Sequence, residues 1–144
     1  MAISGGIMKA YDLVLWLWVA GAIQLAIVLA NALLPAKLNV HAGMASVPRF
    51  LRQVFVVHWI YIVLTVSLFS LLCFFFARDL AGGSRLGRFL CSAMGVFWGL
   101  RLPLQLFYYD AELRRRNRVL DLAYSLAMVA LIAIFGAAAL APRV

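Results

Sequence analysis

The block Phe97-Trp-Gly-Leu-Arg-Leu-Pro-Leu-Gln-Leu-Phe-Tyr-Tyr-Asp110 carries the side chains least expected in their surroundings. Arg101 sits eight residues before Tyr109, about 12 Å along a helix from that end. A guanidinium at such depth in lipid costs roughly 2.5–3.5 kcal/mol on insertion scales unless something compensates it. Gln105 follows one turn later on the same face, and Pro103 between them removes a backbone donor. A buried guanidinium without a fixed counter-ion grips a phosphate or carboxylate in a bidentate manner. The anionic headgroup of a lipid or lipid-like ligand, entering sideways, fits that description. The competing reading is a strut: Arg101 bonds carbonyls freed by Pro103, or Gln24 or Asn31, or pairs with Asp121.

Other polar residues fall at comparable depth. His58, Tyr61 and Thr65 share one helical face at i, i+3 and i+7, and Gln24 and Asn31 are seven apart. Asp121, Tyr124 and Ser125 open the last apolar stretch. Together with Arg101 these outline a polar recess, with ligand-binding candidates Arg101, Gln105, His58, Gln24, Asn31 and Tyr124. His58 titrates in the range useful for proton transfer, so His58, Tyr61 and Asp121 would be the catalytic group of an enzyme. A histidine hydrogen-bonded near the interface is the plainer account. A membrane haem would want two facing histidines, and His41 lies in a loop.

Metal chemistry has little to build on. Cys73 and Cys91 form no CxxC pair and there is no HExxH, so no metal or cofactor is expected. Both cysteines should lie at one depth, away from the recess. A disulfide suits an oxidising compartment, while two buried thiols behaving as small apolar side chains are the simpler expectation.

The elements that must position these groups follow from composition. Of 144 residues, 67% are hydrophobic and 12% charged, with a mean hydropathy of +1.02. Soluble domains carry about a quarter charged residues, and a small soluble sphere could not hide this much apolar surface. The net charge of +8 lies almost entirely between apolar blocks, as in headgroup-level loops. No soluble basic surface exists for nucleic acid.

Four apolar stretches, 11–34, 53–77, 86–109 and 119–141, each exceed the roughly 20 residues a spanning helix needs. The first is longer than a signal-peptide core and reads as a retained helix. The expected fold is an all-α integral membrane protein of one domain, residues 1–144. It is a four-helix antiparallel transmembrane bundle, up-down-up-down, with helices over about 11–34, 48–77, 86–114 and 119–141. Asp110/Arg114 and Glu112/Arg116 at i, i+4 would extend the third helix. Gly82-Gly83 marks a tight turn.

Five Lys/Arg (Lys9, Arg78, Arg85, Arg88, Arg143) face seven on the other side (Lys37, Arg49, Arg52, Arg114, Arg115, Arg116, Arg118). That balance places both termini outside the cytoplasm, in a bacterial inner membrane. Trp16, Trp18, Trp59 and Tyr61 are interface anchors by default. Small residues should let helices approach closely: Ala22, Ala26 and Ala30 in the first, the Gly95/Gly99 GxxxG in the third, and an alanine flank (Ala123 to Ala141) in the fourth. The expected function is a non-catalytic accessory or lipid- and anionic-ligand-binding subunit of a membrane complex. Its partners would be membrane lipid and a second copy or larger membrane protein. The alternative is a small enzyme on a lipid-borne anionic substrate, with Arg101 as clamp and His58 moving a proton.

Overall fold

The computed structural model describes residues 10–37, 46–108 and 118–141. These form α1 (Ala10–Lys37), α2 (Arg49–Phe75), a short α3 (Ala77–Ala81), α4 (Arg85–Pro103), a π-helical segment (Leu104–Tyr108) and α5 (Arg118–Leu140). No strand occurs among the described residues. Four segments are long and apolar enough to cross a membrane: Asp12–Leu33, Arg49–Phe75, Arg85–Phe107 and Arg118–Leu140. His41 and the extension of the third helix over 109–117 lie outside the described residues, as do Lys9 and Arg143.

Local chemistry sets the helix ends. Pro48, at φ −50° and ψ 139°, directly precedes α2, where a missing N–H is harmless. Ser84 caps α4, its Oγ accepting from the Gly87 N–H at 3.0 Å. The turn before it uses Gly83 at φ 66°, a conformation that glycine adopts without penalty.

The second helix departs from its expected course at one point. It was expected to run to residue 77, but the chain leaves helical geometry at Phe76 (φ −120°, ψ 24°) and re-enters it as α3. The break re-aims the chain so that Ala77, Leu80 and Ala81 are buried against α1 and α4. A straight helix would have left those residues outside the core. Gly82-Gly83 then makes the expected turn.

Packing joins α1 to α2 and α4 to α5, with α1 against α5 uniting the two pairs. The core includes Leu17 and Ala20 of α1, Val66 and Cys73 of α2, Met94 and Trp98 of α4, and Met128, Leu131 and Phe135 of α5. Phe69 and Phe97 meet edge to face at 5.3 Å between ring centroids. The close approach of α1 to α2 is at Gly21, where an added Cβ would stand 3.1 Å from the Cys73 Cβ. There the Ser70 hydroxyl donates to the Gly21 carbonyl at 2.9 Å.

The alanines expected to make this seam do not. Ala22, Ala26 and Ala30 are exposed, because the buried stripe of α1 runs through Leu13, Leu17, Ala20, Gln24 and Ile27, about two positions round the helix. Likewise α5 buries Met128, Leu131, Phe135 and Ala138 while Ala123, Ala133 and Ala137 are exposed. Small size alone does not choose a face on a helix that is apolar all round.

The joint between α3 and α4 is tight. A Cβ on Gly87 would stand 2.6 Å from the Asp79 carbonyl oxygen and 3.0 Å from Ser84 Oγ. Gly87→Ala should therefore destabilise the fold by about 1–3 kcal/mol, the usual range for overpacking. Gly99→Ala, where an added Cβ meets nothing within 4 Å, should melt at or above the wild-type temperature. Thermal unfolding in detergent reads both; equal melting of the two variants would contradict the described joint.

Candidate functional site

The residues singled out in the sequence fall into three places. The first lies between α4 and α5. Here the Gln105 amide donates from Nε2 to Asp121 Oδ1 at 2.9 Å, and the Arg101 guanidinium carbon lies 6.0 Å from the Tyr124 ring centroid. All four side chains are half-buried. Two registers bring them together: Arg101 and Gln105 are one turn apart on α4 and its extension, and Asp121 and Tyr124 one turn apart on α5.

Backbone chemistry prepares this cluster. Pro103 cannot donate, and the chain beyond it widens into the π-helical segment, with the Leu104 N–H bonding the Arg101 carbonyl. Arg101 occupies the last turn of α4 and Asp121 the first turn of α5. A carboxylate at a helix N-terminus is favoured by the local backbone dipoles, by about 0.3–1 kcal/mol, whereas helical chain continues beyond Arg101 through Tyr108. The cluster thus holds a carboxylate one turn from the level of Arg101, which weighs towards an internal clamp.

The second place is the seam of α1 and α2. Gln24 is fully buried, and its Nε2 contacts Cys73 Sγ at 3.8 Å. Asn31 donates from Nδ2 to the Ile27 carbonyl at 2.8 Å, and its own carbonyl accepts from Trp59 Nε1 at 3.3 Å. Gln24 Oε1 and Trp98 Nε1 are buried without a hydrogen-bond partner among the described residues. Cys73 and Cys91 are free, buried thiols, the latter 4.0 Å from the Leu80 carbonyl oxygen.

The third place is the exposed part of one face of α2. His58 is exposed and Tyr61 is 64% exposed, while the Thr65 hydroxyl bonds back to the Tyr61 carbonyl at 2.8 Å. The same face carries Phe69, whose ring meets Phe97 one turn before Arg101 on α4. His58 and Tyr61 lie further along the helices from that contact than Arg101 does, and Gln24 and Asn31 belong to the seam of α1 and α2. Among the described residues, no group of three His, Cys, Asp or Glu stands close enough to hold a metal ion.

Sequence reasoning passed over Gly21 and Ser70, whose bond fixes the α1–α2 crossing, and Gly136 and Arg88 on the α4–α5 side. A serine within an apolar span was the signal for Ser70. Comparison of the chain with protein-family models, curated proteins and solved structures gives no match.

The Gln105–Asp121 bond should be measurable as a coupling. In a double-mutant cycle of Gln105→Leu and Asp121→Asn, thermal or denaturant unfolding should give an interaction of roughly 1 kcal/mol. Strict additivity would show that the bond does not tie α4 to α5.

Proposed function

We propose that this protein is a non-catalytic accessory subunit of a larger membrane complex, and that its partner lies against the exposed His58 and Tyr61 of α2. In this reading the four long apolar helices span the bilayer as an antiparallel, up-down-up-down bundle with both termini outside the cytoplasm. The order of contacts supports the antiparallel arrangement. Gly21 meets Ser70 and Asn31 meets Trp59 across one pair; Arg88 meets Ala139 and Gln105 meets Asp121 across the other.

The observation that carries the proposal is the exposure of His58 and Tyr61 within an apolar span. His58 lies six residues beyond Arg52, about 9 Å along the helix, which puts it inside the hydrocarbon when Arg52 is held at the headgroups. Facing lipid there, the imidazole would lose its hydrogen bonds without replacement, a cost of a few kcal/mol. A neighbouring helix that offers polar partners removes that cost. The span of α2 is also the least buried of the four.

The enzyme alternative draws no comparable support. It needs Arg101 and His58 at one substrate, yet counted from the Phe69–Phe97 contact His58 lies eleven residues along α2 and Arg101 four along α4, a difference of about 10 Å in depth. The Gln105–Asp121 bond beside Arg101 supports a clamp that holds α4 to α5.

The test is gentle purification of the tagged protein from its native membranes. The wild type should carry a second polypeptide in fixed ratio. His58→Leu combined with Tyr61→Leu should lose it at least about tenfold, a change of about 1.4 kcal/mol, with unchanged melting of the isolated chain. A wild type that runs as a single chain, or a partner retained equally by the variant, would overturn the proposal.

A further inference from the structure

An open furrow of about 520 Å³ runs along the seam of α4 and α5. Ser92, Gly95 and Gly99 form one wall, Gly136 and Ala139 the other, and Phe135 also lines it. The glycines are not explained by contact between the helices. A Cβ on Gly95 would touch the Phe135 Cβ at an ordinary 3.6 Å, and one on Gly99 or Gly136 would meet nothing within 4 Å. Their effect is to keep a furrow open along the outside of the seam.

One end of the furrow is charged. Arg88 lies one turn before Ser92, so residues 88, 92, 95 and 99 share a face of α4. Its Nε donates to the carbonyl of Ala139, itself a groove residue, at 2.9 Å, so the side chain reaches across the seam at the groove's end. Arg88 is exposed, and an arginine has four further N–H donors besides Nε. The positive end of the α4 dipole and Arg85 add to the potential there.

An apolar furrow that ends at a held guanidinium matches an acyl chain attached to a phosphate ester. We infer that the groove binds one membrane phospholipid, its acyl chain along Gly95, Gly99 and Gly136 and its phosphate on Arg88. A second copy of this chain is a poorer occupant. A parallel pairing of two α4 helices through Gly95 and Gly99 would set Arg88 against Arg88 and Arg85 against Arg85. The site lies on a different face from the one proposed for the protein partner, and shares with that reading only the embedding of the bundle in lipid.

The experiment is native mass spectrometry of the full chain released from nanodiscs of phosphatidylcholine and phosphatidylglycerol. Wild type should retain one phospholipid per chain. Arg88→Gln should reduce retention about tenfold, the equivalent of about 1.4 kcal/mol, and Gly99→Leu or Gly136→Leu should abolish it by filling the furrow. A Cβ at either glycine meets nothing within 4 Å, and wild-type melting of these variants in detergent separates a loss of lipid from a loss of fold. His58→Leu with Tyr61→Leu should leave the lipid in place, which separates this site from the partner face. Lipid retained equally by Gly99→Leu, a wild type with no discrete bound lipid, or a lipid-free dimer that Gly99→Leu converts to monomer would each overturn the inference.

Discussion

In an apolar solvent a helix satisfies its own backbone, so polar bonds between helices are few and each one fixes a register. Among the described residues, side-chain bonds join the long helices in definite pairs. Ser70 to Gly21 and Trp59 to Asn31 set how α1 lies on α2. Gln105 to Asp121 and Arg88 to Ala139 do the same for α4 and α5. Between the two pairs, core side chains such as Leu17, Trp98 and Leu131 pack without a described polar bond. The bundle is two stitched pairs joined by dispersion and shape, which makes the tight joint at Gly87 and the short α3 important for holding the second pair to the first.

The same constraint gives meaning to polar groups that the stitching does not use. Arg101 is accommodated by the Tyr124 ring and by a neighbouring carboxylate. His58 and Tyr61 are exposed on α2. In the proposed account, groups of the first kind hold the subunit together and groups of the second kind mark where another protein completes it. Arg88, tied at Nε yet exposed, belongs to both kinds: it bridges two helices and presents charge at the end of an open groove.

The four long helices were legible because length and hydropathy alone identify them, and the chain holds four uninterrupted apolar runs. That Arg101 and Gln105 share one helical face, and Asp121 and Tyr124 another, was also legible, since i, i+3 and i, i+4 spacing puts each couple on one face. The direction of each face was not. A soluble helix announces its inner side by contrast with a polar outer side, but here both sides are apolar. Ala22, Ala26 and Ala30 consequently read as a seam and lie outside, while Gly21, their neighbour, makes the close crossing. His58, Tyr61 and Thr65 were correctly grouped, yet nothing in their spacing says which way they turn. The break at Phe76 was hidden too, because Ala77–Ala81 continues the helical pattern and only packing against α1 reveals the change of direction.

The central claim is that a protein, and not lipid, covers His58 and Tyr61. The most direct measurement is photocrosslinking in native membranes from a photoreactive phenylalanine analogue placed at Tyr61, beside the same analogue at Leu104 of the π-helical segment. The account predicts a discrete crosslinked polypeptide of defined mass from position 61 and none from position 104. Crosslinks from position 61 to lipid alone would contradict it.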